Sequence, residues 1–174
     1  PPAFDTYASD CILHRAAPFI FAVGVALALI PVQDLPVDLP MLAIAATLVV
    51  VIIGIALVVG RVPSIPAWMP RVLPFAYLAA IALLREATGG ALSGYGVLLF
   101  LAPFWAALYD TRRQVVLLLA AMFVAQVGFA FVQSDFQDLL AVRRGLVSLL
   151  VVGMISLAVH RNVAELRAAQ ALVS

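Results

Sequence analysis

Long apolar runs separated by short polar turns set the pattern of this chain. Six runs are predicted as membrane-spanning helices: residues 16–30, 41–60, 72–84, 95–109, 115–132 and 145–160. Residues 41–60 are dominated by Ala, Val, Ile and Leu, with Thr47 as their one hydroxyl. At 1.5 Å per residue, such a run matches the roughly 30 Å of hydrocarbon in a bilayer. The run 95–109 carries no charge, places Trp105 and Tyr109 toward its end, and stops at Arg112-Arg113. Those are the marks of an apolar core, an aromatic belt and a basic turn. The run 72–84 is short unless it starts near Ala67, with Arg71 snorkelling to the headgroups. The last run passes without Pro or Gly from His160 into RNVAELRAAQALVS. The expected fold is therefore all-α: a polytopic membrane protein of six transmembrane helices with a C-terminal cytoplasmic helix continuing from the last span. Its parts are a cytoplasmic lead-in (1–15), a bundle (16–160) and a signalling or coiled-coil helix (161–174).

Composition points the same way. The chain has 174 residues, 66% of them hydrophobic and 11% charged, with a mean hydropathy of +1.16. That leaves too few charges to clothe a soluble domain of this length. A net charge of +1, with no basic patch interleaved with aromatics, excludes nucleic acid as a partner. The single Cys11 excludes an internal disulfide and a multi-cysteine metal site, and reads as a bystander rather than a lipidation site. No cofactor is expected. The chain starts without Met and ends inside a helical pattern, so a longer protein is expected. Pro1–Asp10 lacks the basic segment of a signal peptide.

Arginine placement orients the six expected spans. Arg15, Arg61, Arg71, Arg112, Arg113, Arg161 and Arg167 fall on one side; Arg85, Arg143 and Arg144 fall on the other, with Asp34, Asp38, Glu86, Asp135 and Asp138. The arginine-rich side is cytoplasmic by the positive-inside rule. Both termini are then expected in the cytoplasm, and residues 85–94 outside.

Four constellations invite a chemical reading. Ser93 in GGALSGYG and His160 resemble the pair of an intramembrane serine protease. The glycine spacing is one residue too long, however, and the expected topology puts the two at opposite faces, far beyond the 3 Å or so of proton transfer. His14 and His160 share one face, but read as solvated interfacial histidines rather than metal or haem ligands. Arg85, Glu86 and Tyr95, in and beside a Gly-rich loop, with Arg143 and Arg144 opposite, form the best candidate for binding a small anionic or polar ligand. The competing reading is salt bridging and headgroup anchoring. Finally, Val159, Val163, Leu166, Gln170 and Val173 follow a 4-3-4-3 spacing, a heptad seam suited to a homodimer. Pro103 is expected to kink the run 95–109. The small-residue pairs Ala22/Ala26, Gly24/Ala28 and Ala125/Gly128 read as ordinary helix contacts.

The stretch LLREATGGALSGYGVLLFLAPFWAALYDTRRQV (83–115), with the later RRG and HRNVAELRA, resembles the six-span N-terminal sensor region of bacterial, actinobacterial-type, signalling proteins. In those proteins the region precedes a GGDEF diguanylate cyclase, a histidine kinase or PAS modules. The resemblance runs from about Arg71 to Arg167. It rests on the arginine before the Gly-rich loop, SGYG, Pro103 with Trp105, and the ALY…RRQ stop; Asp110 stands where the family tends to carry Gly. It implies an input role, because no catalytic motif of an output domain is present in these residues. The expected function is a membrane-embedded sensor and dimerisation domain that relays a change through its last span. The alternatives are a small transport component, such as a substrate-binding subunit, or an accessory subunit of a larger complex. A solute path calls for polar groups near the bilayer midplane, and the runs offer Thr47, Gln126, Ser148 and Ser156.

Overall fold

A computed structural model describes residues 9–32, 36–59, 69–90, 93–133 and 139–173. These residues form six α-helices: α1 (Ser9–Leu29), α2 (Leu39–Val59), α3 (Met69–Ala87), α4 (Leu101–Tyr109), α5 (Arg112–Gln133) and α6 (Leu139–Val173). Two 3₁₀ segments, Ile30–Val32 and Tyr95–Phe100, complete the described secondary structure. The chain divides into two compact units, Pro1–Leu98 and Leu99–Ser174.

In the first unit, α2 lies along α3 and α1 packs on α2. The core takes Val23 and Ala26 from α1, Ala45, Val49 and Ala56 from α2, and Tyr77, Leu78, Ile81 and Leu84 from α3. On α2 those buried positions are spaced by four and seven residues, one narrow stripe of a helix. Ile44, Val50, Val51, Leu57 and Val58 are exposed. Thr47 turns its hydroxyl back onto the carbonyl of Ala43, 2.8 Å away, which satisfies it without a partner outside the helix. The start of α2 is capped by Asp38, whose Oδ1 accepts the Met41 N–H at 3.1 Å. The Asp38 N–H in turn donates to the Ala87 carbonyl, at 2.8 Å. Asp38, which the sequence marked only as one of the acidic residues opposite the arginine-rich side, thus ties the beginning of α2 to the end of α3.

In the second unit, α4, α5 and α6 pack against one another. α5 buries Val115, Leu118, Leu119, Met122 and Val127 along one face and exposes Val116, Leu117 and Val124. α6 meets it through glycines. A Cβ placed on Gly145 would lie 2.5 Å from Val127 Cγ2, and one on Gly153 would lie 3.8 Å from Leu119 Cδ1. Small residues permit this approach of helix to helix. The glycines of the pairs noted in the sequence do not serve this way: a Cβ on Gly24 meets nothing within 4 Å among the described residues, and one on Gly128 meets only Val124 of its own helix.

The expectation of six transmembrane helices is corrected. Among the described residues, two helices are long and apolar enough to cross a membrane: Leu39–Val58, with 20 residues and a mean hydropathy of 3.0, and Val142–Leu172, with 31 residues and 1.8. Neither is a buried core helix, since 17% and 22% of their apolar windows are buried. The other expected spans fail for local reasons. Among the described residues, the apolar stretch of α1 is Ala17–Leu29, about 20 Å at the helical rise. α3 carries Arg71, Arg85 and Glu86 within its 19 residues. The run 95–109 is not one α-helix: six residues form a 3₁₀ segment and nine form α4. Pro103 lies in the first turn of α4, so it sets a helix start instead of kinking a long helix. α5 opens on Arg112-Arg113 and holds Gln114 and Gln126, and its described residues do not make a third long apolar helix. The alternation of sides behind the arginine count assumed six crossings, so the placement of both termini in the cytoplasm does not follow from two.

The continuous helix expected beyond His160 is present, since α6 runs unbroken for 35 residues. The lead-in 1–8, Asp34, Trp68, Asp135 and Asp138 lie outside the described residues, as do the side chains of Cys11, His14, Arg15 and Val173.

Candidate functional site

The polar residues of the first unit gather where α3 ends. Thr88 Oγ1 donates to the Leu84 carbonyl at 2.8 Å, closing the last turn. Gly89 and Gly90 then take φ values of 99° and 61°, the left-handed conformation that ends helices and that glycine adopts without a Cβ penalty. Ser93 is buried, and its hydroxyl donates to the Gly90 carbonyl at 2.9 Å. It is a turn residue. Gly94, at φ 71°, redirects the chain into the 3₁₀ segment.

Arg85 and Glu86 sit beneath this loop. Nη1 of Arg85 lies 3.2 Å from Oε1 of Glu86, with 12% and 6% of the two side chains exposed. Burial pushes the Glu86 carboxyl above its ordinary range, and the Arg85 guanidinium pulls it part of the way back. A Cβ on Gly96 would lie 3.8 Å from Arg85 Cδ, so the backbone of the loop closes over the arginine stem. The Tyr95 hydroxyl donates to the Ala26 carbonyl of α1 at 2.9 Å, and the Tyr77 hydroxyl to the Leu98 carbonyl at 3.1 Å. The ring of Phe19 meets that of Tyr77 edge-on at 4.7 Å. These polar groups hold α1, α3 and the loop together. Substituting Phe for Tyr95 removes one buried hydrogen bond, so thermal unfolding of the purified protein is expected to show a loss of about 1 kcal/mol. An unchanged midpoint would show that the contact contributes nothing.

Arg143 and Arg144, the other two arginines of the candidate site, belong to the second unit, where both are exposed near the start of α6. Of the heptad seam, Val159 and Val163 are half-buried and Gln170 is exposed, as is Leu166, at 64%.

No family model, curated protein or solved structure matches this chain.

The feature that sequence reasoning missed lies in the second unit. α4 ends against α6, and its last carbonyls are taken by α6 side chains. His160 Nδ1 is 3.2 Å from the Ala107 carbonyl oxygen, and Arg167 Nη2 donates to the Leu108 carbonyl at 2.6 Å. A carbonyl accepts only, so His160 carries a proton on Nδ1 in this contact. The terminal carbonyls of a helix have no intrahelical donor and bear its negative dipole end, which favours cationic or N–H partners there. His160, Val163 and Arg167 are spaced 3 and 4, one face of α6. That spacing was the signal available in the sequence. It was invisible as a contact because the acceptors are backbone atoms some 50 residues away.

Proposed function

We propose that this chain is the membrane-attached input and dimerisation part of a bacterial signalling protein, with α6 as the element that relays its state. The observation that carries this reading is α6 itself. It is one helix of 35 residues that exposes Leu146, Val147, Leu150, Val151, Met154 and Ile155 over its apolar part. From Arg161 onward it turns to a polar, exposed sequence. Large exposed apolar side chains in this number are stable against lipid and a liability in water. A rigid rod with one part suited to hydrocarbon and the other to water can carry a rotation or shift from one phase to the other.

The resemblance of residues 83–115 and 160–168 to sensor regions supports the same role. On this reading the membrane is the bacterial cytoplasmic membrane, and the arginine-bearing end of α6 lies in the cytoplasm. The dimer forms through the exposed part of the seam, from Leu166 onward, because Val159 and Val163 are partly covered within their own unit.

The test is cross-linking in native membranes in a Cys11→Ser background. Leu166→Cys is expected to give disulfide-linked dimer readily, and Glu165→Cys, whose carboxylate pairs with Arg161 at 2.9 Å, much less. Equal yields at both positions, or none at either, would remove the parallel dimer from the proposal.

A further inference from the structure

One end of the second unit collects cationic and aromatic groups from all three of its helices. The Gly145–Val127 and Gly153–Leu119 approaches set an antiparallel register between α6 and α5. Continued along the same register, Arg112 comes level with His160. α4 reaches the same level, since its last carbonyls are held by His160 and Arg167. Arg112 and Arg113 are exposed there, as are Arg161 and Arg167. The acidic groups at this level are Asp110 and Glu165. Asp110 Oδ1 accepts the Thr111 N–H at 2.7 Å, and Glu165 is paired with Arg161. With Arg161 and Glu165 paired, Arg112, Arg113 and Arg167 stand against the single carboxylate of Asp110, and Arg112 and Arg113 are the two of these arginines whose guanidiniums do not cap α4. Their role is not to stabilise α5, because cations in the first turn oppose the helix dipole and that turn has no acidic residue.

Just inside this ring of charge stand Trp105 and Tyr109, with ring centroids 5.5 Å apart. Tyr109 itself is exposed, and so are Leu108 of α4, Val116 and Leu117 of α5 and Leu157 of α6. The order of apolar side chains, then aromatic rings, then guanidiniums reproduces the order of acyl chains, interface and headgroups in a bilayer. Charge complementarity then selects the kind of headgroup. We infer that this end of the second unit is a docking surface for anionic phospholipids, with Arg112 and Arg113 choosing the negatively charged headgroup. The inference rests on the membrane reading above and adds lipid selectivity to it.

The test uses Trp105 as the reporter. With Trp68→Phe it is the sole tryptophan of the chain. The protein is reconstituted in phosphatidylcholine bilayers containing brominated phosphatidylglycerol or, separately, brominated phosphatidylcholine. Quenching of Trp105 is expected to report an association about fivefold stronger for the anionic lipid, the effect of roughly one arginine at a charged surface. Arg112→Gln with Arg113→Gln is expected to bring the ratio to about one, while the corresponding Lys pair keeps it. Added salt should reduce the ratio in the parent protein. Equal quenching by both lipids in the parent, or a preference that survives in the Gln pair, would overturn the lipid selectivity alone. Trp105 unquenched by either lipid would overturn the membrane reading and this inference with it.

Discussion

Replacing Arg85 with Met lowers the stability of the fold by about 3 kcal/mol, and adding Glu86→Gln recovers most of that loss. Glu86 is nearly inaccessible and its nearest cation is the guanidinium at 3.2 Å. Removing the arginine leaves a largely buried carboxylate without the cation that faces it. The cost is that of a buried charge with its partner deleted, which exceeds the net worth of the intact pair. The neutral double variant removes both charges, and hence the penalty.

The same variant has a defined pH dependence. The Glu86 carboxyl is already above its ordinary value of 4.5 through burial, and without Arg85 it loses the one influence that lowers it. A carboxyl with a raised folded-state pKa binds its proton more tightly in the folded protein. Arg85→Met is therefore most stable at acid pH and weakens as pH rises from 4.5 through the folded-state value. Urea or thermal unfolding across pH 4 to about 8 checks this. A variant whose stability rises with pH in that window, or a double variant no better than the single, would show that Glu86 is not the group responsible.

Gly145→Leu is expected to cost about 3 kcal/mol, at the upper end of the range for overpacked interiors. Even a Cβ at this position meets Val127 Cγ2 at 2.5 Å and Phe123 Cε2 at 3.3 Å. Val127 is β-branched and has few rotamers with which to move aside, so α5 and α6 must separate. Separation strips contacts from Leu119 and Val152, both buried in this unit. Val127→Ala opens space against residue 145, so the Gly145→Leu/Val127→Ala pair should be more stable than Gly145→Leu alone. Additive losses in the pair would place the close approach elsewhere. The effect bears on function as well, because α6 is the proposed relay and its position on α5 is what Gly145 secures.

How much of this could be read beforehand differs from element to element. The apolar run at 41–60 announced α2 to within a residue or two, and the absence of Pro and Gly after His160 announced that α6 continues unbroken beyond its apolar part. Arg85, Glu86 and Tyr95 were recognised as a group from their place beside a Gly-rich loop. What they do was not legible. The pairing of Arg85 with Glu86 and the reach of Tyr95 to Ala26, 69 residues earlier, depend on how α1 and the loop come together on α3.

Hydropathy also overcounted the spans. It sums apolar residues without registering where the backbone leaves the α-helix or which charges a helix carries within it. Residues 95–109 are apolar throughout, yet a proline three residues into α4 and the 3₁₀ segment before it divide them.

By itself, then, the sequence determined that the chain is helical, where its two long apolar helices run, and that α6 passes from apolar to polar without a break. Those properties depend on neighbours within one or two turns. Only the tertiary structure decided that Asp38 ties the start of α2 to the end of α3, that Gly145 rather than Gly24 is a point of close approach, and that His160 and Arg167 hold the end of α4. Each of these pairs a residue with an atom far along the chain, three of them with a backbone carbonyl. A carbonyl leaves no mark in the sequence, because every residue has one.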